Sequence, residues 1–210
     1  LPQRIGGTYS GFCHLVDLQN KVEHSPAAKI LLDGTYLGFC GANLCAVLAG
    51  IIHRARSLGK EVLFENLQGK VLEIWNRNYF WLQDQNNVPM DFNNTVVHYM
   101  VFDVKHGSDF GNYIRTELLS KRDLPKMSEG ARKAIQESLY EIYSNAVLHS
   151  GCDQVFTCGQ YYPSKHVLEF TMVDMGRTFR TNVSEFWNQP VSGAAAIDWA
   201  VKDGSTTKVG

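Results

Sequence analysis

Apolar and polar positions alternate with two different periods in the first half of the chain. Short apolar runs over Lys29 to Asp33 and over Glu61 to Glu65 adjoin glycine-containing turns, which is typical of β-strands. Between them, apolar residues at three- and four-residue spacing predict an amphipathic helix that ends at Gly59. Its apolar positions are Leu44, Val47, Leu48, Ile51, Ile52 and Ala55. A second short helix over Gly69 to Trp75 completes a predicted β-α-β-α unit.

A polar stretch separates this unit from the rest of the chain. Residues Gln83 to Asn94 are rich in Asn, Gln and Asp and include Pro89, a composition typical of linkers. We therefore expect a domain boundary near residue 92, with residues 1–92 and 93–210 as two domains.

The second half alternates strands and helices. The predicted elements are a strand over Thr95 to Val104, a helix over Asp109 to Leu119, a long helix from Ser128 to Gly151, a hairpin of Gln154 to Tyr162 with His166 to Asp174, and a last helix over Gly193 to Lys202 capped by Ser192 and ended by Gly204. The long helix is expected to bury a stripe made of Ile135, Leu139, Ile142 and Ala146. The predicted fold class is α/β (α+β): a small βαβα domain, then a two-layer α/β sandwich with helices on one face of a mixed sheet.

Composition narrows the function classes. The 210 residues carry a formal net charge of −1, so there is no broad positive field to attract a nucleic acid, and we expect no direct nucleic-acid binding. The longest apolar stretch, Leu44 to Ile52, is far shorter than the roughly 20 residues of a membrane span, so we expect no membrane segment. Without a signal-peptide pattern, a cytoplasmic location is the default expectation, and Leu1 suggests a natural start upstream or a processed one.

Cysteines and histidines do not form metal-binding patterns. The five cysteines are odd in number and contain no C-x-x-C pair, so buried reduced thiols are expected. No H-E-x-x-H occurs either.

The long helix carries the first candidate site. Glu141, Asn145 and His149 follow each other at four-residue spacing and are expected to share one face. A carboxylate that positions or deprotonates an attacking group, next to a neutral amide oxygen for a hard cation, suits a Mg-ATP site. The alternative is a solvated polar helix face, and the spacing alone does not decide between them.

The second candidate site follows the last predicted strand. Leu168 to Val173 is a β-rich run that leads into Asp174, Met175 and Gly176. A carboxylate at the end of a strand is able to accept a hydrogen bond from an exocyclic amine, while glycine allows a ligand to approach the backbone. An ordinary turn is the alternative.

In this order and spacing the two motifs resemble the GHKL (Bergerat) ATPases, which include sensor histidine kinases, anti-sigma-factor serine kinases, gyrase, mismatch-repair ATPases and heat-shock chaperones. Glu141-x-x-x-Asn145-Ala146-x-x-His149 looks like the N-box of that family, and Asp174-x-Gly176 looks like its first glycine box. The resemblance covers about residues 94 to 210. It implies ATP and Mg²⁺ as cofactors, with Glu141 as general base or water positioner.

The resemblance also implies roles for the remaining site residues. Asn145 would hold the magnesium, Asp174 would bind the adenine amino group, and Gly176 and Thr178 would adjoin the nucleotide. His149 would lie beside the phosphates. Residues Gly193 to Lys208 would enter the ATP lid, where Ser205, Thr206 and Thr207 would lie near phosphate.

Three departures from the family pattern affect these expectations. Thr178 stands where the family usually has a second glycine, and the chain ends at Val209 and Gly210, before a second glycine-rich box is expected. We therefore expect part of the lid to be missing. There is also no dimerisation helix with a phosphoacceptor histidine, since His53 is better explained as a surface residue.

The order strand, glycine-rich turn, helix, strand, helix in residues 28 to 80 weakly resembles the STAS-type fold of anti-sigma-factor antagonists. The segment Gly38 to Asn43, where that family often has a phosphorylatable serine, contains neither serine nor threonine. The resemblance therefore implies a docking or scaffold module, and a generic α/β domain is the alternative. Neither a P-loop nor a G-x-G-x-x-G fingerprint occurs.

Two classes of function remain. The first is a Mg-ATP-dependent regulator of the anti-sigma-factor kinase type, which phosphorylates or sequesters a protein partner in a signalling or partner-switching pathway. The second is a non-catalytic, nucleotide-sensing interaction or scaffold protein. A nucleotide, a protein partner and a second copy of the chain are the expected partners. A gyrase-like or mismatch-repair enzyme would need a basic surface and further domains.

Overall fold

The structure is a computed structural model that describes residues 1–81, 90–105 and 107–202. Its first half contains short strands and helices in alternation. In chain order they are β1 (Arg4–Ile5), α1 (Tyr9–His24), β2 (Lys29–Asp33), β3 (Phe39–Cys40), a 3₁₀ turn (Ala42–Leu44), α2 (Cys45–Ser57), β4 (Glu61–Glu65) and α3 (Gly69–Arg77). The predicted order of strand, helix, strand and helix is confirmed by β2, α2, β4 and α3. Helix α1, which Thr8 caps, was not predicted.

The second half has longer strands. Its elements are β5 (Val96–Asp103), α4 (Gly107–Tyr113), a π-helical turn (Ile114–Leu118), α5 (Glu129–Asn145), a second π-helical turn (Ala146–Ser150), β6 (Gln154–Tyr162), a 3₁₀ turn (Pro163–Lys165), β7 (Val167–Asp174), α6 (Phe179–Phe186) and α7 (Gly193–Ala200). The predicted strand, hairpin, long helix and last helix are confirmed, while α6 was not predicted. Most of the predicted linker, and Gly204, Ser205, Thr206 and Thr207, lie outside the described residues.

Local chemistry explains where the main helices begin and end. Ser128 and Ser192 each accept a hydrogen bond from the backbone N–H three residues later, which caps α5 and α7 as predicted. Gly151 has φ 65° and ends the turn after α5, because glycine adopts this left-handed conformation without strain. These ends depend on neighbouring residues only.

Strand pairing divides the sheets between the two halves. In the first half β1 pairs with β3 and β2 pairs with β4, both in parallel, as a β-α-β connection requires. In the second half β5, β6 and β7 form a three-stranded sheet in that order, and both of its pairings are antiparallel. Over the described residues this sheet is therefore antiparallel, whereas the sequence predicted a mixed one.

The antiparallel sheet is covered on both faces. On one face Val97, Phe102 and Val155 pack with Tyr143 of α5 and with α4. On the other face, the hydrophobic core of the first half includes the sheet residues Phe156 and Cys158, and α2 contacts both β6 and β7. The sheet thus has helices on both faces, whereas the sequence predicted helices on one face only. Residues on either side of position 92 share this core, and the division into two domains stays a prediction.

The predicted buried stripe of α5 is confirmed for Leu139 and Ala146, which pack against the core, and wrong for the two isoleucines. Ile135 is 39% exposed and Ile142 is 55% exposed, whereas Tyr143 is 2% exposed. Tyr143 stacks on Phe110 of α4 with 4.3 Å between ring centroids, so the large aromatic residue, and not the isoleucines, faces the core. The helix is therefore rotated relative to the prediction, which changes the surroundings of every polar residue on it.

Other predictions concern cysteines and the membrane. Cys40, Cys45 and Cys158 are buried free thiols, as expected, while Cys13 and Cys152 are partly exposed. Within the described ranges there is no helix with the length and apolar character needed to cross a membrane.

Candidate functional site

A cleft of about 650 Å³ lies between the end of α5, the end of β7, and helices α6 and α7. Asn145, His149, Asp174, Gly176 and Thr178 all line it. These residues come from two motifs that are about 30 positions apart in the chain, so the antiparallel hairpin of β6 and β7 has to bring them together. Among the predicted nucleotide-site residues that the structure describes, all except Glu141 therefore line one cavity.

Asp174 is the last residue of β7 and is half-buried. Its Oδ1 accepts a 3.0 Å hydrogen bond from the backbone N–H of Gly176, which closes a tight turn. No side chain or backbone N–H among the described residues donates to Oδ2. One carboxylate oxygen at the cavity wall therefore remains able to accept a hydrogen bond from a ligand.

Gly176 is required by a close approach of two backbone segments. A β-carbon at this position would lie 2.3 Å from the carbonyl oxygen of Ser150. The same carbonyl accepts a 2.6 Å hydrogen bond from the backbone N–H of Arg177. The glycine of this motif thus allows the turn to dock on the end of the α5 segment, in addition to the ligand approach that the sequence suggested.

Asn145 and His149 lie on either side of the point where α5 changes from an α-helix to a π-helical turn. Asn145 is the last α-helical residue of α5 and is exposed. His149 belongs to the following π-helical turn, and its carbonyl accepts a 2.8 Å hydrogen bond from Asn182 Nδ2 of α6. Such single π turns occur frequently at functional sites. The turn carries His149 to the cavity wall and ties α6 to the end of α5.

Thr178, the departure from the family pattern, has a local structural role. Its φ of −77° is an ordinary extended conformation, so no glycine is needed there. Thr178 Oγ1 accepts a hydrogen bond of 3.2 Å from the backbone N–H of Thr181 and thereby caps α6.

Glu141, the predicted general base, does not line this cleft. It is exposed and lines a separate cavity of about 500 Å³ between α4 and α5, together with Arg115 and Tyr140. Because residues four apart on a helix differ by about 40° around its axis, Glu141 and Asn145 do not have to face the same cavity. The structure therefore does not bring Glu141 together with the other predicted residues.

Several cleft residues were not identified from the sequence. Val155 and Met172 form an apolar wall on the sheet side, Tyr143 of α5 adds an aromatic ring, and Phe179 and Trp199 belong to α6 and α7. Tyr143 has a pKa above the usual tyrosine value because burial disfavours the phenolate, so its ring is a neutral part of the wall. From the sequence, Met172 was the one wall residue with an indication of its place, because it lies in the predicted strand that leads to Asp174.

One cationic side chain was also missed. Arg177 lines the cleft and donates a hydrogen bond to Glu185 of α6, which raises the pKa of Arg177 and lowers that of Glu185. Both side chains are solvent-exposed, so their ion pair adds little to stability. The sequence could have identified Arg177 as a cleft residue, because it directly follows Gly176 of the predicted site.

The residues present fit a nucleotide-bound cation better than a cation that the protein holds alone. Among residues 1–81, 90–105 and 107–202 there is no group of three His, Cys, Asp or Glu side chains able to hold a metal ion. Magnesium in nucleotide sites is usually bound by one or two carboxylates together with phosphate oxygens and water. At this cleft Asn145 offers a neutral amide oxygen and Asp174 a carboxylate.

Neither the models of known protein families, nor the curated proteins, nor the solved structures include a significant match to this chain.

Proposed function

We propose that the chain binds an adenine nucleotide together with Mg²⁺ in the cleft between α5, the Asp174 turn, α6 and α7. The observation that carries the proposal is that Asn145, His149 and Asp174 line one cavity of about 650 Å³. Their residue types and spacing in the sequence also predict a nucleotide site. Cavities of roughly 300–1,000 Å³ are usual for small-molecule ligands.

Each group in the cleft has a function in this proposal. Asp174 Oδ2 accepts a hydrogen bond from the exocyclic amine of adenine, and the apolar wall of Val155 and Met172 holds the ring. Asn145 supplies an amide oxygen to Mg²⁺. His149 and Arg177 contribute donors on the side where phosphates would lie.

The resemblance to GHKL ATPases extends the proposal to a biological role. We infer a regulator of the anti-sigma-factor kinase type, which phosphorylates or sequesters a protein partner in a signalling pathway. The first half, with its STAS-like element order, is the proposed docking module for that partner.

One observation favours the second candidate, a nucleotide-sensing interaction protein without phosphoryl transfer. Glu141 lines the cavity on the other side of α5 and is separate from the residues proposed to hold the nucleotide. A general base has to lie within hydrogen-bond reach of the group that it deprotonates. The two candidates share the nucleotide site and differ in the presence of a base.

Calorimetric titration of the whole chain with ADP and with ATP, each with and without MgCl₂, tests the proposal. We expect binding that magnesium strengthens, and loss of the magnesium effect in Asn145→Ala. Asn20→Ala, an exposed asparagine on α1, is the matched control and should bind as the wild type does. Absence of nucleotide binding by the wild type would overturn the proposal.

A further inference from the structure

The turn that carries Asp174 contacts two different parts of the molecule. Asp174 and Gly176 line the cleft. Met175, which lies between them, is partly buried and packs against the hydrophobic core that contains α2. Successive residues of an extended segment point to opposite sides, so this turn links the cleft to the first half of the chain.

Helix α2 has a glycine at the contact. A β-carbon on Gly50 would lie 2.9 Å from Met175 Sδ and 3.0 Å from Val173 Cγ1. Carbon atoms in well-packed interiors stay about 3.5–4.0 Å from their neighbours, so a methyl group at position 50 would force the Met175 thioether and the Val173 methyl to shift. The backbone of α2 and the side chain of Met175 are therefore in direct contact.

A polar contact joins the same two elements closer to the start of α2. Asn43 is buried, and its Nδ2 donates a 3.1 Å hydrogen bond to Thr171 Oγ1 of β7. Thr171 and Val173 in β7, and Met175 directly after it, occupy alternate positions, and all three contact residues in or directly before α2. Helix α2 thus follows β7 up to the Asp174 turn.

The opposite side of the turn has little freedom to move. Gly176 abuts the carbonyl of Ser150, and the N–H of Arg177 donates to that same carbonyl. A displacement of Met175 by α2 cannot be relieved toward Ser150, because backbone atoms already fill that space. The Met175 side chain is flexible and absorbs part of the displacement, and the part that reaches its backbone is taken up by residues 174–176, which include the carboxylate that faces the cleft.

We propose that Met175 is a positioning residue for the nucleotide site: its contact with Gly50 of α2 sets the position of the Asp174 carboxylate. The state of the first half, including any partner bound to it, is thereby communicated to the nucleotide cleft through α2. The ligand in this inference rests on the proposed function, whereas the positioning of the turn does not.

Three variants test the contact: Gly50→Ala, Met175→Ala and the double variant. The first readout is the NMR resonance of the Gly176 amide, whose N–H donates to Asp174 Oδ1. The second is ADP affinity by calorimetry. We expect each single variant to shift the Gly176 resonance and to weaken ADP binding about 5-fold or more, the lower end of ordinary coupling between sites. In the double variant the methyl group added at position 50 occupies space vacated by the Met175 side chain. The loss of ADP affinity should therefore be smaller than the sum of the losses in the two single variants.

Controls separate positioning from general destabilisation. Gly69→Ala adds a β-carbon where no atom lies within 4 Å. Val71→Ala removes buried side-chain atoms from the same core, but in α3. We expect both controls to keep the wild-type Gly176 resonance and ADP affinity. Met175→Leu, which keeps the volume of the side chain, should restore most of the affinity that Met175→Ala loses.

The outcomes distinguish the inference from the proposed function. If Gly50→Ala and Met175→Ala lower the melting temperature as Val71→Ala does, but leave the Gly176 resonance and ADP affinity unchanged, Met175 has no positioning role. If the wild type fails to bind ADP while the resonance shifts in both single variants, the nucleotide proposal fails and the positioning of the turn by α2 stands. Should Gly50→Ala fail to fold, Met175→Ala and Met175→Leu still decide the matter.

Discussion

The carbonyl oxygen of Ser150 occupies the space that a β-carbon on Gly176 would need, 2.3 Å from its ideal position. This contact joins the end of the α5 segment to the turn after β7. The two sequence motifs of the cleft therefore meet backbone to backbone, and the packing at this point determines the shape of the cavity.

Replacing Gly176 by alanine should destabilise the fold. The obstructing atoms include the carbonyl carbon and oxygen of Ser150, which cannot rotate away as its Oγ can, so either the turn or the end of α5 has to move. We expect the free energy of unfolding to fall by about 2–3 kcal/mol, measured by urea denaturation. Gly193→Ala at the start of α7, where no atom lies within 4 Å, is the control. Equal stability of the two variants would contradict the close approach.

Asp174→Asn should weaken adenine binding without unfolding the turn. The amide oxygen of asparagine still accepts the hydrogen bond from Gly176, but its NH₂ group cannot accept one from the adenine amine. Loss of a charge-assisted hydrogen bond costs about 2 kcal/mol, roughly a 30-fold weaker ADP affinity by calorimetry.

Inosine diphosphate, which lacks the amine, provides the comparison for this variant. The wild type should prefer ADP to inosine diphosphate, and Asp174→Asn should lose that preference. If the variant retained the preference, Asp174 would not be the residue that recognises the base.

Glu141→Gln should leave nucleotide affinity within roughly twofold of wild type, since substitutions at sites that share no partners act independently. Glu141 lines the cavity between α4 and α5, away from Asn145 and Asp174. Fluorescence or calorimetric titration with ADP measures the effect. A large loss would show that Glu141 reaches the nucleotide after a rearrangement, and would favour the kinase candidate over the sensing one.

Lys60→Met should destabilise the first half. Lys60 Nζ donates hydrogen bonds of 2.7, 2.7 and 2.8 Å to the carbonyls of Val22, Glu23 and Ser25, at the end of α1. Methionine keeps the apolar stem but removes the charge that satisfies these carbonyls, so we expect a loss of about 2–3 kcal/mol in urea denaturation.

The matched control for this prediction is Lys29→Met. The Lys29–Glu61 ion pair spans 3.9 Å and both side chains are 60% exposed. Exposed pairs of this kind contribute roughly 0–1 kcal/mol. A similar loss of stability in Lys60→Met and Lys29→Met would mean that the three hydrogen bonds of Lys60 contribute no more than an exposed ion pair.

Glu117 should make the free energy of unfolding decrease as the pH falls into the acid range. Burial raises the pKa of Glu117, but the hydrogen bond from His98 and the charges of His98 and Lys121 outweigh burial, so the pKa lies below the ordinary value of 4.5. A carboxylate whose pKa is lowered by folding contributes stability above its unfolded pKa and loses it as pH falls through the folded pKa.

We therefore expect wild type to be more stable than Glu117→Gln near pH 6, and the difference to shrink as pH falls below 4.5, in urea denaturation over a pH series. Glu137→Gln is the control, because Glu137 pairs with Lys133 at 3.7 Å on an exposed helix surface. A constant difference between wild type and Glu117→Gln at all pH values would contradict the assignment.

Most elements that depend on nearby residues were predicted. The capping serines of α5 and α7, the left-handed Gly151 and the β6–β7 hairpin all follow from hydrogen-bonding groups and backbone preferences within a few positions. Helices α1 and α6 were missed. Helix α1 places Leu15, Leu18 and Val22 against the core at helical spacing, so a sequence indication of this helix was available. Helix α6 buries only Val183 and has no wide apolar stripe.

The buried face of α5 was mispredicted because its sequence contains two apolar stripes. Ile135 and Ile142 form one, and Leu139 with Tyr143 forms the other. The choice between them depends on the partner, and the stacking of Tyr143 on Phe110 of α4 is a long-range contact. Periodicity within one helix contains no information about that contact.

Local sequence was enough to identify Asn145, His149 and Asp174, because an amide on a helix and an aspartate before a glycine turn are recognisable by type and spacing, whereas Arg177 and Asn182 of the same cleft were missed. Long-range packing determined which of them meet. The docking of the Gly176 turn on Ser150 brings Asn145, His149 and Asp174 together, while the orientation of α5 leaves Glu141 in another cavity. The contact of Met175 with Gly50 depends equally on the fold, since only the folded chain places residues so distant in sequence within van der Waals distance.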